Sequence, residues 1–187
     1  DDELDDDELD EFLDDYLPEE DIADLTECHL TDTDARIISF FLTGLPLEEV
    51  VPAVMTSGVV LNIHRLRTDQ RFVRLRQRRL YSSDAIIISE LLKRNTALET
   101  LDLAVNQLGC RLMGNTRRFV KSGAASLISL INTNTSLKHL DLGHNYFVPV
   151  SSMRLATSVV RSKTLETFCS MPIGRLRQNA ESTECAA

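Results

Sequence analysis

Two side chains with catalytic potential stand two residues apart, His139 and Asp141. On an extended strand that spacing points both to one face, where a carboxylate can orient an imidazole as a general base. No third member accompanies them. His29, His64 and His144 fall in other stretches, and Ser151-Ser152 lacks the setting of a nucleophile elbow. Gly109, Gly114 and Gly123 are scattered, with no Lys-Ser/Thr at a helix start, so no phosphate-cradling loop is expected. Cys28, Cys110, Cys169 and Cys185 form no C-x-x-C pair and no metal-like grouping with the histidines, and are read as free thiols of a reducing compartment. These residues predict a chain that is not an enzyme, holds no metal or cofactor and takes no small-molecule substrate.

Charge is the stronger feature. The net charge is −9 over 187 residues, but residues 1–21 carry 14 of the 29 acids and no Lys or Arg, which leaves 15 acids against 20 bases elsewhere. A mildly basic body thus follows a strongly acidic tail. In the tail Leu9, Phe12, Leu13, Tyr16 and Leu17 recur at helical spacing. Two readings of residues 1–21 follow: a solvated, disordered tail, or a segment whose apolar stripe folds onto a basic or apolar groove. Farther on, Arg65, Arg67, Arg71, Arg74, Arg76, Arg78 and Arg79 form a basic run, and Arg117, Arg118 and Lys121 a second group. The first run could meet an acidic protein surface, bind RNA phosphates, or simply keep a loop soluble. Few aromatics are interleaved, which disfavours single-stranded nucleic acid.

The elements that must position these groups announce themselves by repetition. Leu98-Glu-Thr-Leu101-Asp-Leu103-Ala-Val-Asn106-Gln-Leu108-Gly109 returns as Leu137-Lys-His-Leu140-Asp-Leu142-Gly-His-Asn145-Tyr-Phe147. Each copy reads as a short strand and a tight turn, with Leu101 and Leu103 inward and Thr100, Asp102 and Ala104 outward. Asn106 and Asn145 fall where a turn needs side chains to satisfy orphan backbone groups. Helical stripes follow the strands: Ala35, Ile38, Phe41 and Leu42; then Ala85, Ile88, Leu91 and Leu92, capped by Ser82, Ser83 and Asp84; then Ala124, Leu127, Leu130 and Ile131. Asn95-Thr96-Ala97-Leu98 and Asn134-Thr135-Ser136-Leu137 link helix to next strand.

The spacing of these units resembles the leucine-rich repeat of the ribonuclease-inhibitor-like subclass. The resemblance covers residues 73–168 and, more loosely, 22–47, where Leu25, Cys28 and Leu30 would form the first turn. It implies an α/β fold, a right-handed solenoid or horseshoe with parallel strands on the concave side and helices outside. The expected organisation is an acidic tail at 1–21, a solenoid over 22–178 with insertions near 50–72 and 110–121, and a frayed end at 179–187. Pro172 marks the terminal strand.

On that phasing the concave face carries a central column of Asp24, Arg74, Asp102 and Asp141, flanked by Phe72, Arg76, Thr100, Ala104, His139 and Gly143. Mixed signs suit a protein partner better than a uniform nucleic-acid track. The functional expectation is a non-catalytic interaction or scaffold subunit of a larger intracellular assembly, cytoplasmic or cytoskeletal, including ciliary scaffolds. The alternatives are a regulator of a GTPase or other enzyme through the concave face and, more weakly, an RNA-binding subunit. No apolar run approaches the roughly 18 residues of a membrane span. The chain also opens without Met, so the lack of a leader carries no weight.

Overall fold

The computed structural model describes residues 23–25, 30–44, 52–55, 57–113 and 116–184. Strand β1 (Ala23–Asp24) precedes helix α1 (Asp32–Gly44), which Thr31 and Asp34 cap reciprocally. Strands β2 (Pro52–Val54) and β3 (Val60–Asn62) form a hairpin around Gly58, whose φ of +83° suits only a residue without a Cβ. Asn62 caps the short helix α2 (Ile63–Arg67) by accepting from the Arg65 amide at 2.9 Å.

Next come β4 (Phe72–Arg74), helix α3 (Ser82–Leu92) and β5 (Thr100–Asp102). A second hairpin, β6 (Cys110–Met113) and β7 (Thr116–Phe119), leads into helix α4 (Ser122–Thr133). After it come β8 (His139–Asp141), helix α5 (Pro149–Arg161), β9 (Thr167–Phe168), β10 (Met171–Pro172) and helix α6 (Ile173–Glu184). Val73, Leu101 and Leu140 lie in one core with Ile88, Leu91, Leu127, Leu130 and Leu155 from the helices. Each such aliphatic side chain contributes about 1.5–3 kcal/mol on leaving water.

Two asparagine pairs fasten the strands at both ends. Asn106 Nδ2 donates to the carbonyls of Leu75 (2.7 Å) and Leu103 (2.9 Å), while its Oδ1 accepts from the amides of Arg78 (2.9 Å) and Leu80 (3.1 Å). Asn145 donates likewise to Leu103 (2.8 Å) and Leu142 (3.0 Å). At the other end Asn95 donates to Leu66 and Gln70, and Asn134 to Leu92 and Asn95, each Oδ1 accepting two amides of the following link. All four asparagines are buried, so each replaces water for backbone groups that would otherwise be orphaned. Gly109 is required where it stands: a Cβ there would meet the Tyr146 carbonyl oxygen at 2.4 Å.

The expected right-handed solenoid is corrected. The fold is mixed α/β, with a five-stranded mixed sheet in the order β10-β9-β8-β5-β4, a separate sheet β1-β2-β3 and the two-stranded β6-β7. Within the five-stranded sheet β4, β5, β8 and β9 pair in parallel, and β10 closes one edge antiparallel to β9. Among the described residues no continuous coil runs through the chain, because Pro52–Val54 and Val60–Asn62 build strands of their own. Strand β2 pairs with β1, and the antiparallel β3 then covers its other side. Asp24 accordingly sits opposite Val54, outside the column of Arg74, Asp102 and Asp141. At the other terminus the backbone is helical through Glu184, where fraying from Asn179 was expected. At the start of α3 the N-cap is Tyr81, and Asp84 Oδ2 accepts its amide at 2.7 Å; Ser82 and Ser83 lie inside the helix.

Candidate functional site

Alternation along β4, β5 and β8 buries the middle residue of each strand and leaves its neighbours on the open side of the sheet. The register sets Phe72 beside Thr100 and His139, and Arg74 beside Asp102 and Asp141. Arg76, just past β4, reaches across both neighbouring strands. Its Nε donates to Asp102 Oδ2 at 2.9 Å and its Nη2 to Asp141 Oδ2 at 2.7 Å. The other oxygen of each carboxylate accepts a backbone amide two residues on, Ala104 at 3.0 Å and Gly143 at 2.9 Å. Each aspartate is thus tied to its own turn and to a shared guanidinium. The two carboxylates raise the Arg76 pKa further above its already high value, chiefly through the hydrogen bond to Asp102.

Beside this clasp, Phe72 is 39% exposed, with the guanidinium carbons of Arg71 and Arg74 at 5.7 and 5.9 Å from its ring centre. Arg71 also donates to Glu99 at 2.8 Å, and that hydrogen bond holds the Glu99 carboxyl below the usual carboxylate range. His139 does not pair with Asp141: its Nδ1 lies 2.9 Å from Thr167 Oγ1 on β9. The open face is therefore a row of mutually satisfied polar groups around one aromatic ring.

One border of this face is strained. Gln77, Val105 and His144 occupy corresponding places in three successive turns, with φ of 61°, 59° and 57°. Only glycine enters this region freely, and a β-branched Val there is a true outlier. Arg79 and Tyr146 also have positive φ, and Val105 and Tyr146 expose apolar surface on the same turns. Hydrogen bonds between the turns offset this strain: the Gln77 amide donates to the Ala104 carbonyl at 3.0 Å and the Val105 amide to that of Gly143 at 2.8 Å.

Other expected site residues distribute as follows. Ala104 is corrected: it is buried, packed under the turn it begins, and offers no surface to a partner. Gly143 is half-buried, and a Cβ there would meet Asp141 Oδ1 at 3.3 Å. Arg65 and Arg67 lie on α2, where Arg67 reaches the Leu42 carbonyl at 3.3 Å. Arg78 and Arg79 are exposed but sit in the turn, where positive φ at Gln77 breaks the alternation that would have aligned Arg78 with Arg74 and Arg76. Arg117 and Arg118 are on β7, in a sheet separate from that of β4, and Lys121 is the N-cap residue of α4. The tail stripe of Leu9, Phe12, Leu13, Tyr16 and Leu17, and the turn reading of Cys28, lie outside the described residues. Sequence reasoning missed the Arg71–Glu99 pair, although its separation of 28 residues was a signal in plain view. Among the described residues no helix is long and apolar enough to cross a membrane.

No protein-family model and no curated protein matches the sequence. Among solved structures the chain is similar to the actin-binding site 2 of leiomodin-1, at 14% identity over 92% of this chain and 83% of that one, with a TM-score of 0.46. At that score the likeness establishes neither a shared fold nor a shared partner.

Proposed function

We propose that the chain is a non-catalytic interaction subunit that docks another protein on the open face of its five-stranded sheet. The observation that supports this most is the Arg76 clasp on Asp102 and Asp141 beside the exposed Phe72 ring. Groups already held in place cost little entropy on binding, and an arginine-flanked aromatic is a common energetic centre of protein interfaces. Alternating positive and negative groups along β4, β5 and β8 favour a polar protein surface over RNA, whose phosphates would meet Asp102, Asp141 and Glu99.

The test is a photo-crosslinking side chain placed at position 74 in cells, followed by titration of the purified captured protein. Phe72→Ala should weaken that binding about tenfold or more with helix content unchanged. Equal affinity for the wild type and Phe72→Ala would overturn the proposal. The identity of the captured protein also decides the finer placement in a cytoskeletal or ciliary assembly. A captured GTPase whose nucleotide hydrolysis accelerates would support the regulatory alternative instead.

A further inference from the structure

Helices α1, α3, α4, α5 and α6 form a row in which each packs on the next. Helix α3 lies inside the row, between α1 and α4, and its Ile86, Ile87 and Ile88 are fully buried. Helix α1 opens the row. It buries Ala35, Ser39 and Leu42 but leaves Ile37, Phe40 and Phe41 50%, 75% and 65% exposed. These three stand at i, i+3 and i+4, so they share one side of the helix. The Phe40 and Phe41 rings meet edge to face, 6.0 Å between centres at 75°, so each already braces the other. Two aromatics and an isoleucine clustered in water mark a surface that gains by being covered.

The charges on α1 decide what covers it. Its first turn holds Asp32 and Asp34, while its last turn holds no base to offset the partial negative charge of the terminal carbonyls. Arg36 is exposed on the same side as Phe40. We infer that α1 pairs with α1 of a second copy of this chain, antiparallel, about a two-fold axis near Phe40. In that register Arg36 of one copy lies opposite Gly44 of the other, because each stands four residues from Phe40. Each Arg36 then meets the carbonyl end of the facing helix, and symmetry makes the contact twice. Gly44 leaves room for it, since a Cβ there would meet nothing within 4 Å. An anionic lipid surface fits worse, opposed by Asp32, Asp34 and a net charge of −9. Pairing through α1 uses none of the residues of the open sheet face, so it stands apart from docking there.

Sedimentation equilibrium of the full chain over about 1–300 μM tests this, and the wild type should pass from the monomer mass to twice that mass. Phe40→Glu sets two carboxylates against each other on the axis and should weaken pairing by more than about tenfold. Phe40 is exposed, so helix content by circular dichroism should stay unchanged in that variant. Arg36→Ala should weaken pairing about threefold. The register is read from Phe40→Cys, by oxidising an equal mixture of unlabelled and nitrogen-15-labelled protein. The two introduced thiols should join in isotopically mixed pairs. A chain that stays monomeric to the top of the range would overturn the inference. So would a Phe40→Glu variant that associates as the wild type does, or mixed pairs joined only through the native cysteines.

Discussion

The sheet face and the β6–β7 hairpin are both rich in arginine, yet they handle charge in opposite ways. On the sheet, Arg71 and Arg76 meet acids from neighbouring strands at 2.7–2.9 Å, so positive charge becomes part of the scaffold. On the hairpin the register sets Arg118 opposite another arginine, Arg111, and no acid lies between Asp102 and Asp141 in the sequence. Arginine count alone does not locate a binding site. What matters is whether each guanidinium finds its counter-charge inside the fold. The sheet therefore offers shape and a rigid polar pattern, while on the hairpin Arg118 enters no ion pair among the described residues.

The comparison breaks most severely if the sheet loses its turns. Asn106→Ala leaves the Leu75 carbonyl and the Arg78 and Leu80 amides without their partner. About 3 kcal/mol of stability should be lost, a fall of about 10 °C in melting temperature, checked by thermal denaturation. Val105→Asn should act in the other direction. Asn tolerates φ near 59° far better than Val, so stability should rise by about 1 kcal/mol in a urea titration.

Smaller still is the clasp. Both ion pairs are about half exposed on the arginine side, so Arg76→Ala should leave the midpoint of the same urea titration almost unmoved. A larger loss would make the face a folding element first and a docking surface second. The smallest effect is chemical. Burial, with Asp141 nearby, pushes the Cys169 thiol up in pKa. Its alkylation, followed by mass spectrometry, should lag a free thiol at neutral pH and accelerate only at higher pH. Asp141→Asn removes a negative neighbour and should shift that onset downward.

How much of this was legible in the sequence depended on periodicity. The 28, 39 and 28 spacing of β4, β5, β8 and β9 was readable because Leu101, Leu140 and their outward neighbours recur, and it predicted which residues stand side by side. The asparagine turns were readable because so few side chains can both donate to and accept from backbone. The solenoid was over-read, since nothing periodic marks Pro52–Val54 and Val60–Asn62 as strands that divert β1 into another sheet. Ala104 looked like a landing place because it is small and lies at an outward position, but the turn it starts folds over it. The Arg76 clasp was invisible because it depends on how far one side chain reaches across two strands.

The central claim is that Arg76 is locked before any partner arrives, and side-chain nitrogen-15 relaxation at arginine Nε in the full chain tests it directly. The account predicts an order parameter above about 0.7 for Arg76 Nε and below about 0.6 for Arg74, which rests on the Phe72 ring and enters no ion pair among the described residues. Equal, low values at both positions would mean that the clasp does not persist in solution, and would contradict the preorganised face.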